Sequence, residues 1–259
     1  MRITRGSRSS PTLFPIFSLV VPFLLAGWGG GWQQDDPIAN PARWESALAK
    51  FEEEDRAMMS LALSESHTNQ PPATATSHRP IVFVGSSSIR LWNLRTWFPH
   101  HRPLNRGFGG SHLSDVAHYV DRLVLKHRPD VVVVYAGEND IAAGRSPEGV
   151  AASYRAFISK LRAELPECRV VFIGLKPSLK RWDQIESMRR TNNLIREVIA
   201  ADPLQSFLDV EPAMLDEKGR PRPALFRSDG LHLSEEGYRV WTEMVAPKLG
   251  PPPFKTTEQ

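Results

Sequence analysis

The sequence predicts an α/β domain: a mostly parallel sheet with helices on both faces. Three observations predict it. Short apolar runs recur from residue 80 onward, segments with apolar residues at helical spacing separate them, and the runs leave through polar exits, most of them glycine-bearing. Continuous β-branched runs such as "DVVVVYAG" are the kind buried on both faces of a parallel sheet.

The elements follow in order. "IVFVG" is a short buried strand whose exit, "SSS", leads into an apolar-spaced segment. "RPLNRGFGG" offers a second short strand ending in glycines, and Leu113, Val116, Val120, Leu123 and Val124 then mark one face of a helix. "DVVVVYAG" is the third strand. A helix over 147–165 starts with Ser146 as cap and Pro147 in its first turn, and carries Val150, Tyr154, Phe157, Ile158 and Leu161. "CRVVFIGL" is a strand, 184–201 a helix, and "SFLDV" a short strand. The last helix, 234–248, has Ser234 as N-cap with Glu235 and Glu236 in its first turn, where carboxylates meet the positive end of the helix dipole. Upstream, Trp44, Leu48, Phe51 and Met58 recur at roughly helical spacing within 44–63. The polar, Pro-rich stretch "SESHTNQPPATATSHRP" that follows reads as a loop or linker.

A chain of 259 residues with 41% hydrophobic and 24% charged side chains is long enough for one domain with a sizeable core. Its formal charge of +3 is concentrated in Arg2, Arg5 and Arg8; without them 29 basic side chains (32 − 3) balance 29 acidic ones. A neutral body gives no electrostatic reason to expect nucleic acid as a partner. The three arginines precede the apolar stretch Leu13 to Ala26 and the small-residue exit "GWGGG", the pattern of a secretory signal peptide. The stretch is short for a membrane span and Pro15 and Pro22 interrupt it; an uncleaved anchor is the alternative. "LLAGW" has Trp28 where a lipoprotein signal needs cysteine. Cys168 is the only cysteine, so no intramolecular disulfide forms, and export to a bacterial periplasm or the outside is expected. Oligomeric state is not legible.

In such sheets the chemistry sits beyond the carboxyl ends of the strands. Those exits read "GSSS", "NRGFGGSHLSD", "AGEND" and "GLKPSLKRW", and near the C-terminus "RSDGLHLSEEGY". Acyl transfer needs a nucleophile held by a base, and donors aimed at the developing oxyanion. Ser87 stands two residues past the first strand, with its N–H at the start of a helix; Ser86 and Ser88 suit local hydrogen bonding. Asp229 and His232, three apart in one loop, can act as orienting acid and base. Asn139 has an amide that can donate to an oxyanion, and Gly110 a backbone N–H without a Cβ in the way. Each alone also suits a cap or turn; together they form a constellation. His112 with Asp115 suits helix capping. Trp92, Lys176, Lys180, Arg181 and Trp182 fall near the expected crevice, where they could line a polar cleft over a sugar or be ordinary loop surface. No His/Asp cluster has metal-ligand spacing.

These four blocks, "VGSSS" (Ser87), "GFGGS" (Gly110), "GEND" (Asn139) and "DGLH" (Asp229 and His232), resemble in order and spacing those of the SGNH hydrolase superfamily, the GDSL-type esterases/lipases. The resemblance spans roughly residues 80–248. It implies a three-layer α/β/α flavodoxin-like sandwich around five parallel strands, and a hydrolase that needs no metal or other cofactor. It further implies a Ser87–His232–Asp229 triad and an oxyanion hole from the Ser87 and Gly110 amides and the Asn139 side chain. Two positions depart from the pattern: Ser86 replaces the usual aspartate before the nucleophile, and Ser111 follows Gly110 where many members have aspartate. The expected organisation is a signal peptide over 1–30, a helix and linker over 31–79, the hydrolase domain over 80–250 and a tail over 251–259. Substrates remain open between short-acyl esters such as O-acetylated carbohydrates and lipid esters or thioesters. An exported binding module without turnover is the alternative outside enzymes.

Overall fold

The computed structural model describes residue 1 and residues 40–66 and 79–252. The expected signal segment, the linker at 67–78 and the tail from 253 lie outside the described residues. Helix α1 (Glu45–Ser66) comes first, then β1 (Ile81–Gly85), two one-turn helices α2 (Ser87–Arg90) and α3 (Leu94–Trp97), and β2 (Leu104–Gly107). Helices α4 (Leu113–His118) and α5 (Val120–Leu123) precede β3 (Val131–Tyr135), and α6 (Glu138–Ala142) and α7 (Pro147–Glu164) precede β4 (Arg169–Ile173). The chain continues through α8 (Ile185–Ala200), β5 (Gln205–Leu208), α9 (Glu211–Met214) and α10 (Glu235–Leu249).

The five strands pair in parallel in the order β2-β1-β3-β4-β5. That order reverses direction between β1 and β3, and a crevice opens at such a switch point, beyond the strand ends. β1 and β3 lie at the middle and are buried along their whole length, as their unalternated sequences require. One face of the sheet packs Val82, Val84, Val132 and Val134 against α4, α5 and α7, through residues such as Val116, Tyr154 and Phe157. The other packs Phe83, Val133 and Ile173 against Trp92, Trp241 and Val245, the last two on α10. Burying each such side chain contributes about 1.5–3 kcal/mol, so the sheet holds the site on a stiff base.

The caps read from sequence are present: the hydroxyls of Ser146 and Ser234 accept from the amides of Gly149 and Gly237 at 3.1 and 3.2 Å. His112 and Asp115 form a capping box at the start of α4. The single helix expected after the glycine-rich loop is instead two. At Tyr119 the backbone leaves helical geometry (φ −94°, ψ 16°), where its hydroxyl donates to Glu45 of α1 at 2.9 Å.

The N-terminal helix packs on the flank of this domain. Leu48 is buried in the core beside α5, and Trp44 meets Phe108 edge to face at 5.3 Å. Arg122 pairs with Glu45 and Glu52, both at 2.7 Å, and Arg106 of β2, itself buried, pairs with Asp55. No helix among the described residues is long and apolar enough to cross a membrane.

Candidate active site

Gly85 ends β1 at a positive φ of 144°, where an added Cβ would sit 1.9 Å from the Tyr135 carbonyl oxygen, so only glycine lets the chain turn this sharply. The turn places Ser87 as the first residue of α2, partly exposed at the crevice. Its amide is one of those a helix start leaves without an intrahelical acceptor. The loop after β2 passes beside it. Gly107 is bare because a Cβ would lie 2.3 Å from the Arg90 amide nitrogen, and Gly110 takes a φ of 83° that favours glycine.

The third group arrives from the C-terminal loop. Asp229 closes a tight turn in which its Oδ1 accepts from the amides of Leu231 and His232, each at 2.9 Å. Its Oδ2 stands 2.6 Å from Nδ1 of His232, and Nε2 of His232 stands 3.1 Å from Oγ of Ser87. The hydrogen bond from the imidazole, followed by the Leu231 amide, holds the Asp229 carboxyl well below the usual range, so it is ionised at neutral pH. An ionised acceptor at Nδ1 favours the tautomer with its proton there, which leaves Nε2 as acceptor for the serine O–H.

Ser87, Arg90, Gly109, Gly110, Asn139, Leu231 and His232 line one open cleft of about 540 Å³. Thus the structure brings Ser87, Gly110, Asn139, Asp229 and His232 together. Asn139 is fixed from two sides: Nδ2 donates to the Ser111 carbonyl at 3.1 Å, and Oδ1 accepts from Nη2 of Arg181 at 3.0 Å. Next to it, Asp140 accepts from the Leu113 amide at 3.0 Å and ties the loop after β3 to the loop after β2. Burial pushes the Asp140 carboxyl up to about 7, against the Leu113 amide and the Arg145 guanidinium.

The candidate substrate contacts fare differently. Trp92 is a correction: it is 1% exposed, in the core, stacked at 5.5 Å on Tyr238 and packed on Phe83, Phe98 and Trp241. Two residues beyond the one-turn α2, Trp92 turns into the core between the sheet and α10. Lys176 is a second correction, since it is 1% exposed and paired with the buried Glu138 rather than open to a ligand. Arg181 is spent on Asn139 and on Glu138, at 3.3 Å from the latter. Trp182 is partly exposed, away from the cleft lining, with the Arg220 guanidinium 4.8 Å over its ring. Lys180 is exposed, and its amide donates to the Gly230 carbonyl at 3.0 Å, so this segment braces the Asp229–His232 loop.

Two residues at the site escaped the sequence reading. Arg90, exposed on the cleft wall, was findable as the cation one helical turn from Ser87. Glu138, 4% exposed, was findable as an acid at the exit of a central strand, where burial demands a cationic partner. Of the departures, Ser86 is buried and anchors its amide on the Tyr135 carbonyl at 2.9 Å, and Ser111 is fully buried. Among the described residues no group of three or more His, Cys, Asp or Glu is arranged to hold a metal ion.

Residues 90–240, more than half of the chain, match the GDSL-like Lipase/Acylhydrolase family. The chain is 32% identical over 165 residues to the platelet-activating factor acetylhydrolase IB subunit alpha1 of Bos taurus, covering 61% of this chain and 69% of that one. Among solved structures it resembles a GDSL-like lipase from Bacteroides thetaiotaomicron (TM-score 0.62, 16% identity, 81% of this chain and 97% of the other). It also resembles an acetylxylan esterase from Geobacillus stearothermophilus (TM-score 0.54, 14% identity, 70% and 97%). At those identities the structural likenesses establish the fold.

Proposed function

This chain belongs to the GDSL-like lipase/acylhydrolase family of ester-bond hydrolases, and on that premise we propose that it removes short acyl groups with Ser87 as nucleophile. The observation that carries this is the unbroken chain of hydrogen-bond contacts from Asp229 through His232 to Ser87, ending in a cleft that Gly110 and Asn139 also line.

The reaction runs in two steps. Oγ of Ser87 attacks the ester carbonyl carbon as its proton passes to Nε2 of His232, and the imidazolium is stabilised by ionised Asp229. The amides of Ser87 and Gly110 and one Nδ2–H of Asn139 receive the negative charge on the former carbonyl oxygen. Collapse expels the alcohol, which takes the proton from His232 and leaves Ser87 acylated. Water then attacks the acyl-enzyme by the same route, releasing the carboxylic acid and restoring the serine.

Short acyl groups are favoured because, among the described residues, Leu231 is the one sizeable apolar side chain in the cleft lining. A long chain would find little apolar surface, whereas glycine backbone, Asn139 and Arg90 suit a polar alcohol such as an acylated sugar. Two of the similar proteins, the acetylhydrolase subunit and the acetylxylan esterase, carry acetyl in their names, which supports a small acyl group. The arginine-led apolar stretch up to Ala26 supports export as the setting. Hydrolysis of p-nitrophenyl esters from acetate to laurate tests the proposal: kcat/KM is expected to peak at acetate to butyrate. A peak at laurate would replace it with a lipid acyl hydrolase.

A further inference from the structure

We infer that Arg181 is a positioning residue for the oxyanion donor Asn139, seated by a buried charge cluster on Glu138. The inference rests on the esterase reading of Ser87 and Asn139 above. An asparagine amide can turn over, and only one of its two orientations offers N–H toward the oxyanion. Here Oδ1 faces the Arg181 guanidinium at 3.0 Å and Nδ2 faces the Ser111 carbonyl at 3.1 Å. The reversed amide would set N–H₂ against a guanidinium, which has donors only, and oxygen against oxygen. With one Nδ2 hydrogen used by Ser111, the second is free for a substrate oxygen in the cleft.

The guanidinium is itself seated. Its Nη1 is 3.3 Å from Oε1 of Glu138, whose other oxygen accepts from the Tyr135 hydroxyl at 2.5 Å and from the Lys176 ammonium. The Ser178 hydroxyl adds a long bond to Oε1 at 3.4 Å. Glu138 and Asn139 leave β3 while Lys176, Ser178 and Arg181 leave its neighbour β4, so the parallel register delivers both sets to one end of the sheet. The Glu138 carboxylate thus holds the guanidinium in place beside the oxyanion donor. The planar fork sends Nη2 to the Asn139 oxygen and Nη1 to the carboxylate, and a lysine's single nitrogen does not reproduce that spread, so lysine is a poor substitute for Arg181.

A double-mutant cycle tests this with p-nitrophenyl acetate as substrate, comparing wild type, Arg181→Met, Arg181→Lys, Asn139→Ala and the combined variants. Arg181→Met is expected to lower kcat about tenfold with KM moving less than about twofold, and Arg181→Lys to recover only part of the loss. In the Asn139→Ala background, Arg181→Met is expected to cost less than about twofold, because the group it positions is gone. An equal loss in both backgrounds, or an unchanged kcat, overturns the inference. If circular dichroism shows Arg181→Met unfolded, the cycle is read from Arg181→Lys by the same criterion. Fluorophosphonate labelling of the wild type separates the two levels. Labelled wild type with additive variants overturns the role of Arg181 alone, and unlabelled, inactive wild type overturns the esterase reading beneath it.

Discussion

Nε2 of His232 lies 3.1 Å from Oγ of Ser87, although 145 residues separate the two in the chain. The distance is set by two rigid attachments: Ser87 by the glycine turn at the end of β1, and His232 by the Asp229 turn before α10. Tyr238 of α10 also donates to the Ser88 carbonyl at 2.9 Å, binding the two segments directly. Ser87→Ala and His232→Ala are therefore each expected to reduce kcat by at least about a thousandfold with the melting temperature little changed. Steady-state kinetics beside a thermal melt checks both halves.

In the proposed oxyanion hole Asn139 is one of three donors, so Asn139→Ala is expected to lower kcat roughly a hundredfold, about 3 kcal/mol of barrier, with KM nearly constant. A loss carried by KM instead would show that Asn139 binds the ground state of the substrate.

Glu138→Gln strands the buried Lys176 ammonium and the Arg181 guanidinium without their anion. Burial raises the Glu138 carboxyl, but Lys176 and Arg181 more than reverse this and bring it below its ordinary range. Removing one partner from such a buried group is expected to cost about 3 kcal/mol or more of stability, measured as a lower urea midpoint.

Asp140 gives a pH dependence of stability. Its folded carboxyl titrates at about 7 and its ordinary value is 3.8. Between those limits the folded chain holds a proton that the unfolded chain has released, so stability falls as pH rises from about 4 to about 7. The fall has an upper bound of about 4 kcal/mol. Asp140→Asn keeps an acceptor for the Leu113 amide and is expected to flatten that slope, which urea midpoints at pH 5 and 7 would show.

Trp92→Ala opens a cavity among Phe83, Phe98, Tyr238 and Trp241 and is expected to cost about 4 kcal/mol of stability. If Trp92 instead contacted substrate, KM would rise while the melting temperature held.

The parallel sheet was legible because its central strands are unalternated β-branched runs, and the candidate site because three strand exits and the D-x-x-H loop before α10 carry its residues. Trp92 and Lys176 were misread for a common reason. Nearness in sequence to Ser87 or to a strand end says nothing about which side of a one-turn helix or loop faces in. The Lys176–Glu138 pair joins two strand exits 38 residues apart, and only the register of β3 with β4 brings them together. The break at Tyr119 had no sequence signal, since the apolar spacing runs through it unaltered and the hydroxyl's partner lies 74 residues upstream.

The most direct test of the central claim is the intact mass of the protein after exposure to a fluorophosphonate, taken for wild type and Ser87→Ala. An activated serine predicts one adduct on wild type, localised to Ser87, and none on the variant. An unlabelled wild type, or equal labelling of both proteins, would contradict Ser87 as the nucleophile.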